Sequence, residues 1–279
     1  MALSAQEKQQ RLEWLAGVMR QAGQIILKYY AEKAEVNWKA PSDPVTSADH
    51  ASNDFLVECI SKAFPEEAVL SEESIDDRSR LKKSRVWMID PLDGTKEFIA
   101  RNGEFSVMVG LVEDGLPVLG AIYQPTEDRL YLGAKEVVAK LEENGIEMPL
   151  RVSERNEIDS FRMVVSRSHL EPVVEDIRLK LGISDLRQSG SVGLKCGLIA
   201  RSECDLYIHP SQHAKLWDSC APQAVLEAAG GTMTDIYGNP LVYNKKETRN
   251  LHGLLASNGK AHEAIVAIVR ETLEYAETR

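Results

Sequence analysis

The stretch "WMIDPLDGTKEF", Trp87 to Phe98, begins like the end of a buried strand and then sets Asp90 and Asp93 three residues apart, just before a Gly-Thr turn. "RVWMID" (Arg85 to Asp90) reads as a strand arriving from the core. Pro91 prevents its regular continuation, and Gly94 allows a tight turn before a helix start at Thr95. Asp90 and Asp93 are thereby expected in one pocket. Two carboxylates so close repel each other, whereas Mg²⁺ accepts hard oxygen ligands and retains waters. The same residues also suit a plain turn in which Asp93 bonds its own backbone and Thr95 caps the helix.

Three further acidic stretches carry the same ambiguity singly. "AVLSEES" places Glu72 just beyond an apolar strand, in a solvated loop or facing a metal. "PVTSADHASNDFL" sets Asp49 at the beginning of a helix, where an acid also supports the helix dipole. "KLWDSCAPQAVLEAAGG" has Asp218 immediately before a helix pattern, with Pro222 in its first turn and Gly230 after its end, which also reads as a simple N-cap.

Composition narrows the possible functions. At 279 residues and 43% hydrophobic, the chain can bury a sizeable core. No uninterrupted apolar stretch approaches the roughly 20 residues of a membrane helix. "MALSAQEKQQRLEWL" lacks the apolar core of a signal peptide, so the expected location is the cytoplasm. Cys59, Cys196, Cys204 and Cys220 form no C-x-x-C pair and read as buried reduced thiols. A net charge of -10 argues against nucleic-acid polymers and anionic membranes as partners. A small phosphorylated substrate then needs a local correction to that field, which bound metal supplies.

Apolar residues at helical spacing predict a helix over Glu7 to Tyr30, and a second helix runs from Ser47 toward Ala63, stopped by Pro65. Strands are expected at Ala68 to Leu70, Arg85 to Ile89, Phe105 to Glu113, Pro117 to Gln124 and Arg129 to Ala134, with a hairpin turn at Glu113 to Gly115. This first half is therefore α+β with an antiparallel sheet. After Pro149 a βα alternation begins, with strands at Arg162 to Val165, near Leu186, at Asp205 to Ile208, and near Met233 and Leu254. Helices are expected at Pro172 to Leu181, Val192 to Ala200, Asp218 to Ala229 and from Ala261. The fold class is α/β, with parallel strands in the second half. Halves at 1–155 and 156–279 are expected to meet at a packed hinge.

"LSEES", "WMIDPLDGTKEF" and "KLWDSCAPQAVLEAAGG", in that order and across nearly the whole chain, resemble the inositol monophosphatase-like superfamily of metal-dependent phosphatases. Within it, "DPLDGTKEF", "VVSRSH" and "GLKCGLIA" are similar to the 3′(2′),5′-bisphosphate nucleotidase branch, whose members remove a phosphate from adenosine 3′,5′-bisphosphate. The resemblance implies a layered αβαβα sandwich with the active site between the halves. It also implies that Glu72, Asp90, Asp93 and Asp218, with the backbone carbonyl of Leu92, hold two or three Mg²⁺ ions, and that Asp49 and Thr95, with Glu72, orient and deprotonate the attacking water. Lithium inhibition and a monomeric or homodimeric state are further implications.

The physical logic is in-line attack by water on an anionic ester whose charge must be neutralised. Asp49 would accept the proton through Thr95, while Gly94, Thr95 and the following N–H groups, with Asp218 at the substrate's edge, would hold the phosphate. Ser166, Ser168 and His169 are near one another in sequence, but that does not make a serine nucleophile with its base. Arg167, Ser168 and His169 are expected to touch substrate or form a polar loop, and Lys195 to meet a second phosphate or sit solvated on its helix. Where many branch members read Gly-Ser-Ser-Leu-Lys, this chain has Ser191-Val192-Gly193-Leu194-Lys195, which removes hydroxyls from positions expected near the substrate. Inositol or sugar phosphates are the alternative substrates, and a non-catalytic nucleotide- or metal-binding protein is the third reading.

Overall fold

The computed structural model describes residues 2–32, 35–40, 43–168 and 170–277. Its first sheet follows from strands that are apolar on both faces. In β4 (Arg85–Asp93), Trp87 and Ile89 face one way and Val86 and Met88 the other, as a period of two requires. β5 (Ser106–Glu113) is buried along its whole length. Such strands need a layer on each side.

On one side lie α1 (Ala5–Glu32) and α2 (Ser47–Ala63), whose Leu12, Leu15, Met19, Leu56 and Ile60 pack with Trp87, Ile89, Val107 and Val109. On the other lie α5 (Val192–Ala200) and α6 (Leu216–Ala228), through Cys196, Ile199, Val225 and Leu226. The sheet runs in sequence order from β3 (Ala68–Ser71) through β4, β5, β6 (Leu116–Gln124), β7 (Arg129–Ala134) and β8 (Val138–Glu143) to β9 (Ile146–Pro149). Its pairs are antiparallel, as the hairpin turn predicted, apart from the parallel β3–β4 pair.

Beyond α5 and α6 comes a second sheet, ordered β11 (Asp185–Ser189), β10 (Arg162–Ser166), β12 (Leu206–His209), β14 (Leu254–Ser257) and β13 (Thr232–Thr234). β10 pairs parallel with β11 and β12, while β14 runs antiparallel to both its neighbours, so the sheet is mixed. Its far face is covered by α4 (Pro172–Lys180) and α7 (His262–Glu277) through Val174, Ile177, Ile265 and Val269. The order of layers is αβαβα, as expected.

A row of glycines seats α6. Gly110 pairs with Gly120 and Gly120 with Gly133 across β5, β6 and β7. A Cβ at these positions would lie 2.6 Å from Cys220 Sγ, 2.6 Å from the Ala221 carbonyl oxygen and 2.5 Å from Val225 Cα, respectively. The helix backbone therefore rests directly on the sheet, which sets the depth of Asp218 near its N-terminus. Gly120→Ala is expected to destabilise the protein by about 1–3 kcal/mol through overpacking, read as a lower urea midpoint with an unchanged slope.

Three local expectations change. β4 does not end at Pro91: pairing passes from Asp90–Met108 to Asp93–Ser106 with one extra residue, a bulge that accommodates the missing proline N–H. α6 starts at Leu216, so Asp218 is its third residue and Pro222 lies in its interior. Two hairpins appear where none was expected, β8–β9 and the pair β1 (Val36–Ala40) with β2 (Asp43–Thr46). The four cysteines are free thiols, three buried and Cys59 half-buried. No helix among the described residues is long and apolar enough to cross a membrane.

Candidate active site

The bulge in β4 turns a strand end into a polar corner. Leu92 N donates to Asp90 Oδ1 at 3.0 Å, and Ser52 Oγ on α2 donates to the Pro91 carbonyl at 2.9 Å, fixing the bulge against that helix. Gly94, at φ 96°, then reverses the chain into α3 (Thr95–Ala100).

Asp49 meets this corner from the first turn of α2. Its Oδ2 accepts from Thr46 N at 2.8 Å and Thr46 Oγ1 at 2.6 Å, while Oδ1 lies 3.1 Å from Thr95 Oγ1. The capping bond thus leaves one oxygen for Thr95. The Thr95 hydroxyl is also 3.3 Å from the Leu92 carbonyl, so its single proton serves one acceptor at a time. Burial raises the Asp49 carboxyl above its ordinary range, with the Thr46 bonds opposing.

Glu72 follows β3 and its N–H donates to the Ile89 carbonyl at 3.1 Å, which sets it beside Asp90 on β4. Its carboxylate takes Lys39 Nζ at 3.1 Å, and Lys39 also pairs with Glu73. Asp93 Oδ2 accepts from Ser191 Oγ at 2.5 Å and Gly193 N at 3.0 Å. Asp218 Oδ2 accepts from Lys215 N at 2.8 Å at the start of α6.

These four acids share one field. Asp90 is held well above the ordinary carboxylate range, first by burial and then by repulsion from Glu72, Asp93 and Asp218. Asp218 is raised by burial and by Glu72 and Asp93. Burial pushes Glu72 up to about 7 despite Lys39, and raises Asp93 despite Lys195 and Ser191. Among the described residues no three His, Cys, Asp or Glu side chains stand as a finished ligand cage, because each acid is turned to its own donor. The donor chemistry nevertheless fits a hard divalent cation: neighbouring carboxylates that repel one another, Asp90 buried and Glu72, Asp93 and Asp218 half-buried, are stabilised in their ionised form by such an ion.

The expected substrate contacts are arranged differently. The Arg167 guanidinium pairs bidentately with Glu104, Nε to Oε2 and Nη2 to Oε1, both at 2.7 Å. Ser168 Oγ donates to Glu97. His169 lies outside the described residues. Lys195 is neither solvated nor turned toward open space: it is 2% exposed, with Nζ on the Gly190 carbonyl at 2.9 Å and the Ser191 carbonyl at 2.8 Å. Ser191, the hydroxyl this chain carries next to the substituted Val192 and Gly193, contacts Asp93 and lies 2.9 Å from Ser106 Oγ. Gly193 lets α5 approach the first sheet closely, since a Cβ there would sit 2.6 Å from Met108 Sδ and 2.8 Å from Ile122 Cγ2.

Lys39 and Glu73 went unread in the sequence, and Ser191 entered it only as part of a departure from the branch pattern, whereas T-x-x-D at Thr46 to Asp49 is a legible capping signal.

A family model described as the inositol monophosphatase family matches residues 7–274. The 3′(2′),5′-bisphosphate nucleotidase CysQ of Escherichia coli K12 is 35% identical over 240 residues, which cover 85% of this chain and 95% of that protein. CysQ of Aggregatibacter actinomycetemcomitans is 34% identical over 233 residues, 83% of this chain and 86% of that protein. Among solved structures, CysQ from Bacteroides thetaiotaomicron aligns at TM-score 0.73 and 30% identity, covering 86% of this chain and 94% of its own. An IMPase of Thermotoga maritima aligns at TM-score 0.79 and 24% identity over 95% of this chain and 99% of its own, a likeness of fold.

Proposed function

Because the chain belongs to the inositol monophosphatase family, we propose that it is a Mg²⁺-dependent phosphomonoesterase that converts adenosine 3′,5′-bisphosphate to AMP and phosphate. The observation that carries the hydrolytic chemistry is the group of mutually repelling acids at Glu72, Asp90, Asp93 and Asp218 beside the Thr95–Asp49 contact. The nucleotide rests on the CysQ relatives.

In this reading Asp90, Asp93, Asp218, Glu72 and the Leu92 carbonyl are the oxygen donors for Mg²⁺. Bound Mg²⁺ supplies charge neutralisation at the phosphate and acidification of the attacking water. Thr95 Oγ1 orients that water and passes its proton to Asp49, whose Oδ1 is already within reach. Gly94 and the N–H groups that follow it face the phosphate oxygens. Asp218 borders the leaving group, and no side chain becomes phosphorylated. Cytoplasmic location, lithium sensitivity and a role in sulfur metabolism belong to the same reading.

One observation favours a second substrate class. Arg167 is engaged by Glu104 and Lys195 is buried against two carbonyls, so neither is turned out toward a second phosphate. Inositol or sugar phosphates require no such cation. Phosphate release measured with adenosine 3′,5′-bisphosphate, inositol 1-phosphate and fructose 1,6-bisphosphate, with and without Mg²⁺, decides between them. The expected result is Mg²⁺-dependent turnover fastest on the nucleotide. Faster turnover of inositol 1-phosphate would replace the substrate assignment, and nucleotide binding with no ester hydrolysed would replace the enzyme.

A further inference from the structure

We propose that Lys195 is a positioning residue, whose buried ammonium pins the Gly190–Ser191 peptide so that the Ser191 hydroxyl and the Gly193 N–H hold Asp93 in its working orientation. The inference rests on the reading that Asp93 serves the phosphatase site, and assigns Lys195 away from the substrate.

The loop it pins is strained. Ser191 sits at φ 40° and ψ 130°, a conformation that a residue with a Cβ adopts only when its surroundings impose it. Those surroundings are visible. Glu104 Oε2 accepts from Gly190 N at 2.8 Å on one side of the peptide. On the other, Lys195 reaches back from the first turn of α5 to the carbonyls of Gly190 and Ser191, at 2.9 and 2.8 Å. The ammonium lies 5.1 Å from the centre of the Tyr207 ring, which supplies a further cation-binding face.

The strained turn has a product. It aims Ser191 Oγ at Asp93 Oδ2, 2.5 Å away, and sets Gly193 N 3.0 Å from the same oxygen. The hydroxyl is fixed in turn by Ser106 Oγ at 2.9 Å and by Leu194 N at 3.1 Å. One Asp93 oxygen is thus tied to a loop whose geometry a single buried cation maintains. A lysine reaching substrate would instead need an open path to solvent, and its side chain has none at 2% exposure.

The test uses Lys195→Met, Ser191→Ala and the double variant, each shown folded by circular dichroism. Mn²⁺ binding without substrate is measured by calorimetry, and turnover is measured on adenosine 3′,5′-bisphosphate and on a nucleoside 3′-monophosphate. The expected result is Mn²⁺ affinity weaker by about tenfold in each single variant, with kcat lowered by one common factor on both substrates and KM within about twofold. The double variant should be no worse than either single, because both remove the same support. Lys195→Gln, which still donates to one carbonyl, should recover part of the loss.

An increase in KM for the bisphosphate alone, with Mn²⁺ affinity intact, would make Lys195 a substrate contact and overturn the proposal. So would losses that multiply in the double variant, or a wild-type protein that binds no Mn²⁺. If Lys195→Met does not fold, Lys195→Gln and Ser191→Ala decide by the same criteria. Wild-type protein that binds Mn²⁺ but hydrolyses neither ester would remove the phosphatase reading, while the binding arm still judges Lys195.

Discussion

Asp93→Asn is expected to lower phosphate release at least about a hundredfold while leaving the protein folded. The substitution keeps the shape of the side chain, and an amide oxygen still accepts from Ser191 Oγ and Gly193 N, so the loop it supports is preserved. What disappears is a negative charge among acids that repel one another. The stability effect has a definite sign. Burial raises the folded-state pKa of Asp93 above its unfolded value, so its ionisation opposes folding, and this stability contribution is lost as pH rises through the folded pKa. At neutral pH the metal-free variant is therefore expected to melt no lower than the wild type. Chemistry and stability move in opposite directions, which separates loss of the site from loss of the fold. Near-normal turnover in the folded variant would sink the assigned role.

Some of the acids lie beside element boundaries that the sequence marks. Pro91 and Gly94 bracket Asp93, and T-x-x-D announces Asp49 at the head of α2. The layered order came from the family resemblance; β4 and β5, buried on both faces, give its physical reason, since such strands need a layer on each side.

The misses have physical causes. β9 is exposed throughout and shows no alternation, so only the Asn144-Gly145 pair, both at positive φ, signals the β8–β9 hairpin. Pro44 inside β2 and the irregular register of β1–β2 mask the hairpin that brings Lys39 to Glu72 and Glu73. α6 begins two residues before the expected Asp218, where no capping side chain marks Lys215. Asp218 supplies the bond to Lys215 N from inside the helix instead. The work of Lys195 depends on a strained φ at Ser191, which no local pattern in "GSVGLK" encodes.

Thr95→Ala and Asp49→Asn are each expected to reduce kcat by about 10²–10³-fold, and the double variant by no more than the worse single. The Thr95 hydroxyl lies between the Leu92 carbonyl and Asp49 Oδ1, so removing either end of the Thr95–Asp49 pair leaves the same proton without a route. The pair differs in what else it does. Asp49 also accepts from Thr46 N and Oγ1, so the asparagine should cost about 0.5–2 kcal/mol of stability as the cap weakens, whereas Thr95→Ala removes a half-buried hydroxyl from the start of a short helix and should barely shift the urea midpoint. Two variants with equal kinetic defects and unequal stabilities would identify one proton path running through two side chains with separate structural duties. Kinetic losses that multiply in the double variant would instead mean that Thr95 and Asp49 act on different steps, and the single proton path would be wrong.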